Sequence, residues 1–251
     1  MTRLRILAVI SVILFFRVIF LDKSFQGDEY FSLSEASSRL RDIPFVLTGD
    51  THPPLYFCLL HFWAKISSAE WFLRLLSVIP SLGIVIAVYF MGRKRNFVAA
   101  LLVTLSPVMV WSAQYIRVYS LATLFSVLSV YYLLDVLEDK SWGKYILFSV
   151  LSLYTFYFSV LVIAAESLFI ILYKRDILRK WAISQLVIVI LYIPQLPFLI
   201  QPSYLNHPQM SEKRGFYIGN IHVGGMLRGA SGLIGFDPLL MKRGVCKRNC
   251  S

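Results

Sequence analysis

Apolar residues run along this chain in long blocks, not at the alternating spacing of a half-buried strand, and polar residues gather between the blocks. A helix rising about 1.5 Å per residue needs about 20 residues to cross a hydrocarbon core of about 30 Å. By that measure seven blocks predict transmembrane helices: residues 4–21, 71–91, 97–113, 118–137, 144–157, 158–173 and 181–200. An eighth, residues 54–66, is too short to span and contains His61. Residues 144–173 are long for one helix, and the basic residues at both ends predict a hairpin of two short spans with Tyr154 and Tyr157 at its turn. Beyond residue 200, Pro202, Pro208 and glycines such as Gly215, Gly224 and Gly225 interrupt a mixed polar segment, which is expected to be a loop.

Composition supports an all-α polytopic membrane protein: hydrophobic types make up 57% of the chain and charged types 16%, with mean hydropathy +0.67. The net charge of +11 does not imply a nucleic-acid partner, because Lys and Arg sit in short clusters between apolar blocks. Those clusters report topology. If residues 54–66 lie on the outer interface instead of spanning, Arg3 with Arg5, Arg93 to Arg95, Lys140 and the group from Lys174 to Lys180 all fall on the cytoplasmic side. The first outer loop then carries Asp22, Asp28, Glu29, Glu35, Asp42 and Asp50 against Lys23, Arg39 and Arg41. No small-residue cleavage pattern follows the first block, so it reads as an uncleaved helix. Arg17 lies near that helix's outer end, where its side chain is expected to snorkel to the headgroups.

Four short motifs fall on the expected outer face. Asp28 and Glu29 follow Gly27 just after the first span, and a paired carboxylate there suits a general base or a cation ligand. His52 precedes Pro53-Pro54, which fix the chain as it enters the interfacial apolar helix and are expected to hold the imidazole at the surface. Glu70 and Arg74 stand at i and i+4 at the start of the second span, a spacing that favours a local ion pair. Finally, Gln114-Tyr115-Ile116-Arg117-Val118-Tyr119 joins two spans, and an arginine there can grip a phosphate through its planar fork.

Taken in order, Gly27-Asp28-Glu29, His52-Pro53-Pro54-Leu55-Tyr56, Arg74-Leu75-Leu76-Ser77 and Gln114-Tyr115-Ile116-Arg117-Val118-Tyr119-Ser120 resemble the glycosyltransferase C superfamily. The similarity is to the branch of dolichyl-phosphate-mannose protein mannosyltransferases and lipid A aminoarabinose transferases, over roughly residues 5–200, with Tyr154-Thr155-Phe156-Tyr157 similar to a further element. That resemblance implies seven membrane helices with interfacial helices in the outer loop 22–70, and a module over residues 1–200 followed by an extracytoplasmic loop and basic tail at 201–251. Because relatives continue through further membrane helices or another domain, a C-terminal module is expected to be missing.

The resemblance also implies a polyprenyl-phosphate sugar donor and a multi-pass enzyme of the cell membrane whose active face is extracytoplasmic. Asp28 and Glu29 would be the catalytic acids, and His52, Arg117, Gln114, Tyr119 and Arg74 would contact substrate. A hydroxyl on protein, glycan or lipid would accept the sugar, in direct displacement with inversion. No resident cofactor is certain; a divalent cation stays open beside Arg117 as the source of positive charge at the phosphate, since one Asp-Glu pair is fewer ligands than such a site needs. Two other readings are a truncated, inactive fragment and a transporter or lipid flippase. The transporter requires ionisable groups near the bilayer midplane, where the sequence places only Glu166.

Overall fold

In the computed structural model, residues 17–19, 21, 23–47, 52–91, 96–138 and 142–200 are described, and among them every regular element is helical. The expected loop and tail at 201–251 and most of the first apolar block lie outside these residues, as do Arg93 to Arg95 and Lys140. The elements are α1 (Gly27–Ala36), α2 (Ile43–Val46), α3 (Leu55–Ala64), α4 (Glu70–Met91), α5 (Asn96–Leu105), α6 (Pro107–Ala113), α7 (Tyr119–Val136), α8 (Trp142–Thr155), α9 (Val160–Tyr173), α10 (Leu178–Tyr192) and α11 (Leu196–Ile200). Short 3-10 turns at Tyr157–Ser159, Arg175–Ile177 and Ile193–Gln195 join the last four.

Three described segments are long and apolar enough to cross a membrane: Glu70–Met91, Tyr119–Val136 and the composite Arg175–Phe198. Their outward residues are those of a lipid-facing surface; Phe90 is 68% and Val189 58% exposed, which no water-soluble domain sustains over so many positions. The chain is a membrane protein. The stretch expected as a hairpin of two spans is two helices of 14 residues each, α8 and α9, parted at residues 156–159. The block 97–113 departs from expectation: it is two helices, because Pro107 has no N–H to donate and restricts the residue before it. Ser106 is accordingly extended, at φ −62° and ψ 120°.

Small side chains let the helices approach where hydrocarbon supplies little driving force of its own. Ser77 and Ser81 on α4, Ser120 and Ser129 on α7, and Ser149 and Ser152 on α8 are all buried. Ser152 bonds back to its own helix at the Ser149 carbonyl, 2.8 Å away, and Thr155 to the Leu151 carbonyl at 2.7 Å, whereas the buried Ser120 Oγ has no hydrogen-bond partner. At Gly83 of α4, an added Cβ would lie 3.1 Å from Leu124 Cδ1 of α7. Gly83→Ala is expected to be tolerated through movement of that flexible leucine end, whereas Gly83→Val should cost about 1–3 kcal/mol by overpacking, read as a lower melting temperature in detergent.

α1, α2 and α3 cap one end of this bundle over a core that includes Leu33, Ile43, Phe57, Leu60, Leu73 and Ile116. His61 ties α3 to α1 by donating from Nδ1 to the Ala36 carbonyl at 2.7 Å. Trp63 ties α3 to α4, stacking on Phe72 at 4.9 Å and donating to its carbonyl at 2.9 Å. Arg17 does not snorkel: it is fully buried, with Nε donating to Ser81 Oγ at 2.6 Å and a terminal nitrogen donating to the Thr104 carbonyl at 3.3 Å. The hydroxyl and the carbonyl inside the bundle give Nε and one terminal nitrogen partners without reaching water, while the other terminal nitrogen is buried with no hydrogen-bond partner.

Candidate active site at the capped end of the bundle

The two carboxylates of the Asp28-Glu29 pair point in different directions, because neighbours on a helix stand about 100° apart. Glu29 turns inward and is 1% exposed. Its Oε1 accepts from Arg74 Nε at 3.1 Å and from the Ile116 backbone N–H at 3.0 Å. Its Oε2 accepts from an Arg74 terminal nitrogen and from the Gln26 N–H, both at 2.9 Å, the latter closing the start of α1 as a capping box does.

The rest of the Arg74 guanidinium binds chain leading into α1: one terminal nitrogen donates to the carbonyls of Leu21 and Lys23, each at 2.5 Å. Arg74 is 2% exposed, so neither it nor Glu29 is open to a substrate. The local Glu70–Arg74 pair expected from spacing is secondary, at 4.0 Å. Glu29 takes the bidentate geometry because it lies in the interior, where no water competes for the guanidinium.

Asp28 turns outward, with its side chain 59% exposed, and its carboxylate lies 3.6 Å from an Arg117 terminal nitrogen. Arg117 comes from the turn between α6 and α7, and its side chain is 13% exposed. Its other terminal nitrogen donates to Ser32 Oγ at 3.4 Å, and Ser32 is itself one turn after Asp28 and bonded to the Asp28 carbonyl at 3.2 Å. The buried Arg117 Nε has no hydrogen-bond partner. Gln114 begins this turn, half-buried, with its N–H on the Trp111 carbonyl at 3.0 Å.

Tyr115, not singled out by the sequence reading, donates its hydroxyl to the Gln26 side-chain oxygen at 2.7 Å and stacks on Trp111 at 4.8 Å. Burial, then the Glu29 and Asp28 carboxylates, push this phenol above its ordinary value, so it remains a donor. Ser32 was missed as well, although its i+4 relation to Asp28 was available.

His52 is not held at the surface; it is 5% exposed. Pro53 and Pro54 turn the chain so that the imidazole stacks on Phe156 at 5.7 Å and meets Phe57 and Tyr119 edge-on at 6.4 Å each. Tyr119 and Phe156 are also the head of an apolar groove of about 500 Å³ between α4, α7 and the start of α9. Along α7 the groove is lined by Tyr119, Ala122, Ser126 and Val130, a run of about three turns. Its size falls in the range of about 300–1,000 Å³ usual for ligand pockets. Arg117 stands two residues before Tyr119, so the Asp28–Arg117 pair and the groove are joined at the start of α7.

Among the described residues no three His, Cys, Asp or Glu side chains converge as a metal site would require, and the Glu29 carboxylate is committed to Arg74.

The described residues thus form a helical membrane bundle with a charged cluster at its capped end and an apolar groove among its helices. Residues 51–200 match the dolichyl-phosphate-mannose-protein mannosyltransferase family, and the chain belongs to that family. It is thus a membrane glycosyltransferase by class. His52, Arg74, Gln114, Arg117 and Tyr119 lie within the matched span, and Asp28 and Glu29 precede it. No curated protein and no solved structure shows significant similarity to the chain.

Proposed function

We propose that the protein moves a sugar from a polyprenyl-phosphate carrier to a hydroxyl acceptor on the extracytoplasmic face of the cell membrane, with Asp28 as the base. The observation that carries this reading is the 3.6 Å approach of Asp28 and Arg117, brought together from distant parts of the chain two residues before Tyr119, which lines the groove. An anionic phosphate is recognised by the Arg117 fork, and the prenyl tail runs down past Tyr119 toward Val130. Seven spans, the sidedness set by the basic clusters, a module over 1–200 and a loop with basic tail at 201–251 belong to the same proposal.

In the reaction the Asp28 carboxylate removes the acceptor hydroxyl proton as that oxygen bonds to the anomeric carbon. The bond from that carbon to the phosphate oxygen breaks, and prenyl phosphate leaves with its charge held by Arg117. Before the donor binds, the same guanidinium faces Asp28; a phosphate that draws Arg117 toward itself releases the carboxylate for proton transfer. Glu29 and Arg74 serve by position, since their bonds to Gln26, Ile116 and the chain before α1 fix where α1 and the Arg117 turn meet. Tyr119, His52 and Phe156 form the collar between phosphate and tail, and Gln114 sets the start of the turn.

Direct displacement inverts the anomeric centre. Protein in lipid nanodiscs, supplied with an anomerically defined prenyl-phosphate sugar and a hydroxyl acceptor, is expected to yield a linkage of the opposite configuration by NMR. A retained configuration rules out a single displacement assisted by Asp28. In sealed vesicles, sugar lipid that crosses without any bond transfer supports the transporter instead.

A further inference from the structure

A second polar cluster lies inside the bundle, and the transfer step does not use it. Glu166 of α9 is 5% exposed. Its carboxylate accepts from Ser129 Oγ of α7 at 2.8 Å and from the Tyr145 hydroxyl of α8 at 3.1 Å. Ser149 Oγ stands 2.9 Å from Ser129 Oγ, and Gln185 of α10 donates from Nε2 to the Tyr145 oxygen at 2.9 Å. Four helices therefore meet around one acid.

This cluster matters most for α9. The helix buries only Ile163, Glu166 and Ile170, a single stripe, and presents Leu161, Leu168 and Leu172 outward. Apolar contacts hold such a helix weakly in a bilayer, because lipid tails offer it equally good company, and they do not select one rotation over another. Hydrogen bonds have direction. The bonds from Ser129 and Tyr145 set both the rotation and the height of α9 against α7.

α9 also borders the groove: Val162 from its first turn, with Phe158 and Ser159 from the 3-10 turn that leads into it, lines the groove together with Tyr119, Ser126 and Val130 of α7. Glu166 lies one turn beyond Val162 on the same face, and its partner Ser129 adjoins Val130. We propose that Glu166 is a positioning residue for the lipid tail: by clasping α9 to α7 and α8 it sets the width of the deeper half of the groove, and so the binding of a tail long enough to reach that half. This rests on the groove being the tail slot, as proposed above.

The test uses the full chain in nanodiscs and two probes, geranylgeranyl phosphate and the shorter geranyl phosphate, each competing with a photoreactive prenyl phosphate. The unsubstituted chain is expected to favour the longer probe. Glu166→Leu should weaken the longer probe about tenfold and the shorter less than twofold. Glu166→Gln, which keeps an oxygen acceptor for Ser129, should restore most of the difference. If Glu166→Leu does not fold, Ser129→Ala, which removes one of the two bonds, is expected to show the same length dependence to a smaller degree. Equal weakening of both probes, or an undiminished preference for the longer one, overturns the role of Glu166. Absence of any length preference in the unsubstituted chain counts against the tail slot itself.

Discussion

Asp28→Asn is expected to lower sugar transfer about 10²–10⁴-fold, the usual contribution of a positioned general base, while protein level and melting temperature stay unchanged. The side chain is 59% exposed and lies 3.6 Å from an Arg117 terminal nitrogen, which an amide oxygen can still face. No cavity is created, and because the pair is open on the Asp28 side, loss of the counter-charge of Arg117 should cost at most about 1 kcal/mol. Donor affinity should stay within a few-fold, since the phosphate is assigned to Arg117. Single-turnover rates measured with radiolabelled prenyl-phosphate sugar, set beside equilibrium binding of the prenyl phosphate, separate the two effects. Transfer at the unsubstituted rate excludes Asp28 as the base.

The second large effect is on folding. Arg74→Met should destabilise the protein by about 3–5 kcal/mol, because it leaves the Glu29 carboxylate buried without its counter-charge. The same change removes the donors that hold the Leu21 and Lys23 carbonyls, so the chain entering α1 loses its anchor. Glu29→Gln should be milder, since the amide oxygen can still accept from backbone N–H groups. In a double-mutant cycle the two changes together should cost less than their sum, because the stranded carboxylate is gone. Strict additivity in thermal denaturation would show that the pair is not coupled. Asp28→Asn and Arg74→Met thus differ in kind: one removes a rate at constant stability, the other removes the platform.

Much of the architecture was legible because its cause is local. A block of apolar residues must form a helix in hydrocarbon to satisfy its backbone, so the boundaries of α4 and α7 follow from block length to within a residue or two. The division into α8 and α9 followed from a stretch too long for one span with basic residues at both ends. The Ser106-Pro107 break was equally written in the chain, but apolar continuity was allowed to outweigh the missing N–H. Motif order was enough to indicate the family, because the members of the set share one sequence of polar clusters even where each alone is weak.

What stayed hidden depended on contacts between residues far apart in the chain. Adjacent carboxylates at 28 and 29 look interchangeable in sequence; only the packing of α1 against α4 and the Arg117 turn buries one and leaves the other open. Arg74 had a carboxylate four residues away, yet Glu29 won it by offering two oxygens in a site free of water. His52 was expected outside and is enclosed by Phe57, Tyr119 and Phe156, three rings from three separate elements. Glu166 was seen as a solitary acid because its partners lie on α7 and α8 and are uncharged, and hydroxyls carry no signal in a charge pattern. The all-helical class, the long apolar helices α4 and α7, and the order of motifs were thus determined by the chain alone, through local hydrophobicity and spacing. Which charged group is buried, which is presented and which helix wall borders the groove was decided by tertiary structure, because desolvation and pairing depend on what arrives from elsewhere in the fold.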